Sequence, residues 1–473
     1  MARGYNLMIR TIRNIFFSLL VCTILSNNTV FAQTLTLSEF IQNVWLSNQD
    51  LQSQRMNLES AAITVREKEG IYDPAFQASL TNKHGQSALG GATSDTLAAK
   101  IGVSQKLSTG ADLSVNFDNS KNDAQTSPYN SNLSLTFTQP LFSGYGKDAT
   151  EYSIILARLD KEKAQQDYLK YGNDYIMNAI TKYCDYFLSI KSQEIAEKNL
   201  EHARYIFEEN KKKESLNLVT PYDVMEAQIA FKKAEDDKLA AESVIEKNRE
   251  ALALLVGVAS SNYIVPDPVE PGMPTYSLIS TDDILRRNPD LKISELMANK
   301  IQTNISYLRN QDLPGTFFDA SLGYGDNAKT FADSYSLSNQ VYSLGLRFQY
   351  LFGNKKSDAA LEKENIVLEQ QKLNYDIIRK TTVIHSNDAM KDLKVLKERI
   401  STAKDIRDLS EKFLEIETKK FRLGLITTDK IVQDQSSLKN SQIGYYQLVV
   451  NYLKTYYQLE ALRANLQAIF RLN

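Results

Sequence analysis

The sequence predicts an α+β chain written twice over, on the strength of three observations. Runs of strictly alternating apolar and polar residues mark strands, very long proline-free stretches mark helices, and four landmarks recur in the same order in both halves.

At 473 residues the length suggests two or three domains, and ten prolines with nineteen glycines are few enough to favour long helices over many turns. A net charge of −2 from 55 basic and 57 acidic residues leaves no electrostatic footprint for nucleic acid.

Taken in order, residues 1–32 read as a signal peptide. Arg3, Arg10 and Arg13 precede the mostly apolar run Ile15–Leu25, and Val30 and Ala32 are spaced for cleavage after Ala32. Those eleven residues are too few to span a bilayer core of ~30 Å as a helix. Cys22 raises the question of lipidation, but Val21 before it is not the small residue that such processing wants. Cys184 is then the only cysteine of the exported chain, so packing or oligomerisation must supply what disulfides cannot.

Residues 33–264 form the first repeat. A helical pattern runs from Leu37 to Tyr72, strands occupy about 75–142, and a helix from Lys147 to about Lys213 holds one glycine and no proline, enough for about 100 Å. Its alternating runs are Phe76–Leu80, Leu97–Leu107, Leu113–Phe117 and Leu133–Leu141. Residues 265–276, with four prolines between Val265 and Pro274, are a linker through which neither helix nor central strand continues. Residues 277–473 repeat the order, with a helix over Thr281–Asp312, strands at about 316–352, and a helix from Lys355 to about Lys420.

The landmarks fix the repeat. "SNQDLQSQ" matches "RNPDLKIS", Pro74 matches Pro314, Gln139, Leu141 and Phe142 match Gln349, Leu351 and Phe352, and "ESLNLVTPYDVMEAQ" matches "FRLGLITTDKIVQDQ". Ile431, Leu438, Tyr445, Tyr452, Leu459 and Leu466 follow at strict sevens, a coiled-coil seam expected to run through one final helix.

Strands with one apolar and one polar face have two readings in an exported chain: half of a soluble sandwich, or part of a transmembrane barrel. Open edges cannot cross a bilayer, and one chain holds too few strands to close a lumen, so the second reading requires further copies of the chain.

The exported chain resembles the TolC-type outer-membrane efflux proteins, the outer membrane factors. The resemblance rests on "LTLSEFIQNVWLSNQDL", "QPLFSGYGKDA", "LVTPYDVMEAQ", "ALALLVGV", "LRRNPDLK" and "LGLITTDKIVQDQ", in that order. It implies an α+β membrane protein in which a trimeric transmembrane β-barrel continues into a long α-helical coiled-coil periplasmic barrel, internally duplicated. It further implies a homotrimer set in outer-membrane lipid, fed by an inner-membrane transporter through a periplasmic adaptor protein, for drug efflux or type I protein secretion.

By position the resemblance makes Leu218, Thr220, Gly424, Leu425 and Thr427 adaptor-contacting residues of two periplasmic tips, and places a gate at Asp223, Asp429, Lys430 and Asp434. The second tip departs from the family pattern: Lys430 stands where relatives carry an acid, and Ile426 where some carry a gate arginine. An ion pair between Asp223 and Lys430 across neighbouring hairpins is the expectation.

No catalytic, cofactor or metal site is read. His84, His202 and His385 lack ligand spacing, and "ALGGA" is not followed by the Lys-Ser or Lys-Thr of a phosphate loop. The rival reading is a soluble or surface periplasmic coiled-coil scaffold. The number of membrane strands stays open as well: four per chain would give the twelve the family implies, and the six alternating runs would allow eighteen.

Overall fold

The computed structural model describes residues 35–86, 93–257, 268–274 and 279–472. The signal segment, Cys22, Gly90, Gly91 and much of the linker lie outside them. The fold is helix-rich with one antiparallel sheet, in the order α1 (Leu37–Ser47), α2 (Gln49–Glu69), β1 (Ala75–Gln86), β2 (Thr93–Lys106), β3 (Asp112–Asn122), β4 (Tyr129–Pro140), α3 (Lys147–Thr150), α4 (Tyr152–Ser215) and α5 (Pro221–Val256). There follow α6 (Thr281–Arg287), α7 (Pro289–Gln311), β5 (Gly315–Ala328), β6 (Asn339–Gln349), α8 (Lys355–Arg422), α9 (Thr428–Leu462) and α10 (Leu466–Ile469).

Two compact units divide the chain. One comprises Met1–Ser47, Ala179–Pro274 and Leu396–Lys454, the other Asn48–Asn178, Thr275–Val395 and Thr455–Asn473. In the first, Tyr183 is fully buried and its hydroxyl lies 2.7 Å from the Leu35 carbonyl and 3.0 Å from that of Val269. Burial pushes its ionisation well above the usual tyrosine range, so the neutral hydroxyl pins the proline-rich segment beside Leu35.

In the second unit the six strands pair in sequence order, every pair antiparallel. Cross-strand partners share a face, so one rung carries Phe76, Val103, Val115, Leu135, Leu322 and Tyr342 on the same side. The neighbouring rung on the opposite side carries Gln77, Gly102, Asn116, Ser134, Gly323 and Val341. At the joins to helix, Gly144, Gly146 and Gly353 all have positive φ, and Leu141 N–H donates to the Thr316 carbonyl at 2.7 Å, extending the β4–β5 pairing one step past Pro140.

Three helical expectations are corrected. The pattern from Leu37 to Tyr72 is broken at Asn48, whose Oδ1 accepts the Leu51 N–H at 2.9 Å and caps a new helix. Asn288 does the same for Leu291 at 3.1 Å, with Pro289 at the first helical position. The final helix does not reach Leu466: Ala464 takes φ 51, and the Asn465 N–H returns to the Glu460 carbonyl at 3.1 Å, a Schellman ending. Buried Glu460 holds that turn through Arg463 and Asn465. Within α9, Ile431, Tyr445, Tyr452 and Leu459 are buried and Leu438 is half-buried.

Candidate functional site

The candidate site is the pair of turns joining α4 to α5 and α8 to α9, both in the first unit. Each turn begins with a Schellman ending. At the first, Asn217 takes φ 56, its N–H reaching Glu214 and that of Leu218 reaching Lys213. At the second, Gly424 takes φ 75, its N–H reaching Phe421 and that of Leu425 reaching Lys420. Glycine and asparagine are the residues that enter this left-handed region at least cost.

Each turn ends at a threonine, and there the two part. Thr220 and Asp223 form a complete capping box: Thr220 Oγ1 accepts the Asp223 N–H at 3.3 Å, and the Asp223 carboxylate accepts the Thr220 N–H at 2.9 Å. At the equivalent place Thr427 Oγ1 accepts the Lys430 N–H at 3.4 Å, but a lysine cannot return the bond. An ammonium in a first turn also opposes the helix dipole.

Within this chain the ammonium of Lys430 has a local partner. Lys430 Nζ donates forward to Asp434 Oδ1 at 2.6 Å, and the Asp434 side chain is 7% exposed with Oδ2 lacking a hydrogen-bond partner. The hydroxyl of Thr220, then its backbone N–H, holds the Asp223 carboxyl below the usual range. Hydrogen bonding to Asp434 raises Lys430. Burial, and then the charges of Asp429 and Asp223, push the Glu226 carboxyl up.

Beneath the turns Ile206, Ala227, Leu414, Phe421 and Ile431 form a buried cluster, with Ile426 packed against it. The residue standing where some relatives carry a gate arginine is thus part of the core. Leu218, Thr220, Gly424, Leu425, Thr427 and Asp429 are exposed.

Sequence reasoning missed the residues that tie the two turns together. Asn210 is fully buried and its Nδ2 donates to Thr428 Oγ1 at 2.9 Å and to the Asp223 carbonyl at 3.4 Å. Lys213 donates to the Phe421 carbonyl at 2.6 Å and lies 4.2 Å from the centre of that ring. Both sit in a charged stretch that reads as solvated; the signal for Asn210 is its place one turn after buried Ile206 and two turns after buried Ala203.

No group of metal-ligating side chains occurs among the described residues, and none of their helices is long and apolar enough to cross a membrane. No protein-family model and no curated protein matches the sequence. Solved structures do. The outer-membrane channel OprN aligns at TM-score 0.71 and 14% identity over 90% of this chain and 89% of that one. The outer membrane protein VceC of Vibrio cholerae aligns at 0.68 and 17% over 90% and 96%, and the open-state outer membrane channel MtrE of Neisseria gonorrhoeae at 0.66 and 13% over 90% and 88%. The chain has the fold of outer-membrane channel proteins.

Proposed function

We propose that the chain is one subunit of a trimeric outer-membrane channel of the TolC type. Sheets from three copies close a β-barrel in the membrane, and the helices continue it as a periplasmic tunnel whose turns meet an adaptor protein and, through it, an inner-membrane transporter. The cargo is moved by efflux or by type I secretion. The observation that carries the reading is the sheet: apolar on one face, polar on the other, open at both edges, and joined to helices of 64 and 68 residues.

Internal duplication accompanies this reading. The asparagine caps at Asn48 and Asn288 and the twin Schellman turns at Asn217 and Gly424 stand at corresponding places of residues 33–264 and 277–473, so each half supplies one helical hairpin with its tip.

Purified protein added to a planar lipid bilayer should produce stepwise ion conductance. Protein that binds no bilayer and conducts nothing would favour the soluble coiled-coil scaffold and overturn the channel.

A further inference from the structure

Resting on the channel reading, the sheet register also bears on how many strands each copy places in the membrane. We propose that all six strands are lipid-facing barrel strands, and that the β6 edge of one copy pairs with the β1 edge of the next, so that three copies close a barrel of eighteen.

The first argument is continuity of the apolar face. The rung from Phe76 to Tyr342 crosses all six strands without interruption, and the next, Ala78, Ile101, Phe117, Leu133 and Tyr324, becomes polar only at Gln340 on β6. β1 and β2 hold 12 and 14 residues, at least the ~9–11 a tilted membrane strand needs. An extracellular hairpin would have no reason to keep its apolar side chains on the lipid side of β3. On the other face Lys100 of β2 meets Asp118 of β3 at 3.1 Å, which suits a wet lumen.

The second argument is the slant of the apolar band. The rung through Ala78, the centre of β1's run Phe76–Leu80, reaches β6 at Gln340, whereas β6's own apolar run, Tyr342–Phe348, is centred about five residues further along, or about one residue per strand step. A slip of ~3.4 Å for every ~4.8 Å of strand spacing corresponds to strands tilted by about 35° to the band normal, as barrel closure demands.

The third is edge chemistry. An even number of strands leaves β6 antiparallel to β1 of the next copy, and face matching pairs the even-numbered residues 342–348 with 76–80. Phe76 is 69% and Leu344 72% exposed, against 45% for Val115 and 42% for Leu135 in the interior of the sheet, which is the exposure a lateral neighbour would cover. Eighteen strands at this spacing and a tilt near 35° give a barrel about 34 Å across, against about 23 Å for twelve.

The experiment uses the reconstituted full chain with single substitutions Phe76→Cys and Ile101→Cys, alongside Leu135→Cys and Leu322→Cys on β4 and β5 and Leu425→Cys as an exposed reference; Cys184 is buried. All four strand positions should take a lipid-soluble maleimide and react with a water-soluble one about tenfold or more slowly than Leu425→Cys, because a lipid-facing thiol resists ionisation. Free aqueous labelling at Phe76 and Ile101 but not at Leu135 and Leu322 would overturn the eighteen-strand barrel and leave the channel standing. Free labelling at all four would overturn both. Independently, Ala78→Cys combined with Leu344→Cys, Leu346→Cys or Phe348→Cys should yield a covalently linked trimer on oxidation in at least one combination; failure of all three would contradict the β6–β1 junction.

Discussion

Lys430 and Asp434 lie one turn apart on α9, with Nζ 2.6 Å from Oδ1, and the second oxygen of that buried carboxylate has no hydrogen-bond partner. The lysine neutralises a charge that the helix start would otherwise bury alone. Lys430→Met should therefore loosen the second turn, read as faster hydrogen exchange in the first turns of α9, while the Thr220 turn keeps its protection. Lys430→Glu should loosen it further and raise single-channel conductance. Unchanged conductance would show that this pair does not hold the tunnel end closed.

The two caps should differ in worth. Thr220→Ala removes a reciprocal capping box and should cost about 1 kcal/mol locally, whereas Thr427→Ala loses one long bond and should cost less. Amide exchange at residues 223–225 and 430–432 measures both, and equal losses would contradict the distinction.

Asn210 couples the turns through Thr428 and Asp223. Asn210→Ala leaves a buried hydroxyl and a carbonyl without that donor and should cost about 1–3 kcal/mol. Exchange should quicken at both turns together; an effect confined to one would show that the asparagine is not their link.

Phe421 is 2% exposed in the cluster beneath the turns. Phe421→Ala should cost about 3–5 kcal/mol through lost burial and the cavity left behind, measured by the denaturation midpoint of this unit.

Two carboxyls give the turns opposite pH responses. The Glu226 carboxyl is raised, so the stability gained by protonating it is fully present below its ordinary 4.5 and is lost as pH rises through the folded value. The Asp223 carboxyl is depressed, so its contribution is present above 3.8 and is lost as pH falls through its folded value. After correction for intrinsic rates, protection of the α5 start should be greatest between 3.8 and 4.5. Glu226→Gln should raise protection at neutral pH and flatten the upper arm; a variant with the original upper arm would contradict the assignment.

Much of this fold is legible in the chain. Alternation of period two marks all six strands, because a sheet with one apolar face cannot hide that period. Thr220, Pro221 and Gly424 mark the turns through their backbone preferences. The breaks at Asn48 and Asn288 are harder to see, since a single capping residue interrupts a helix without disturbing the apolar pattern around it, although Pro289 offers a clue. The partner of Lys430 is not legible by repeat alignment. Repeat alignment matches Lys430 to Asp223, equivalent positions in two hairpins, and so cannot show the local contact four residues on. The burial of Asn210 is hidden by the run Glu208, Glu209, Lys211, Lys212, whose charges face outward from a helix that is buried on one side.

Central to the account is that copies of the chain assemble around a membrane barrel. Outer-membrane fractions solubilised in SDS and run with and without boiling test this most directly. The account predicts a species of three chains that collapses to one chain of 53.5 kDa or, with the leader removed, somewhat less. A chain recovered as a soluble periplasmic monomer, unchanged by boiling, would contradict it.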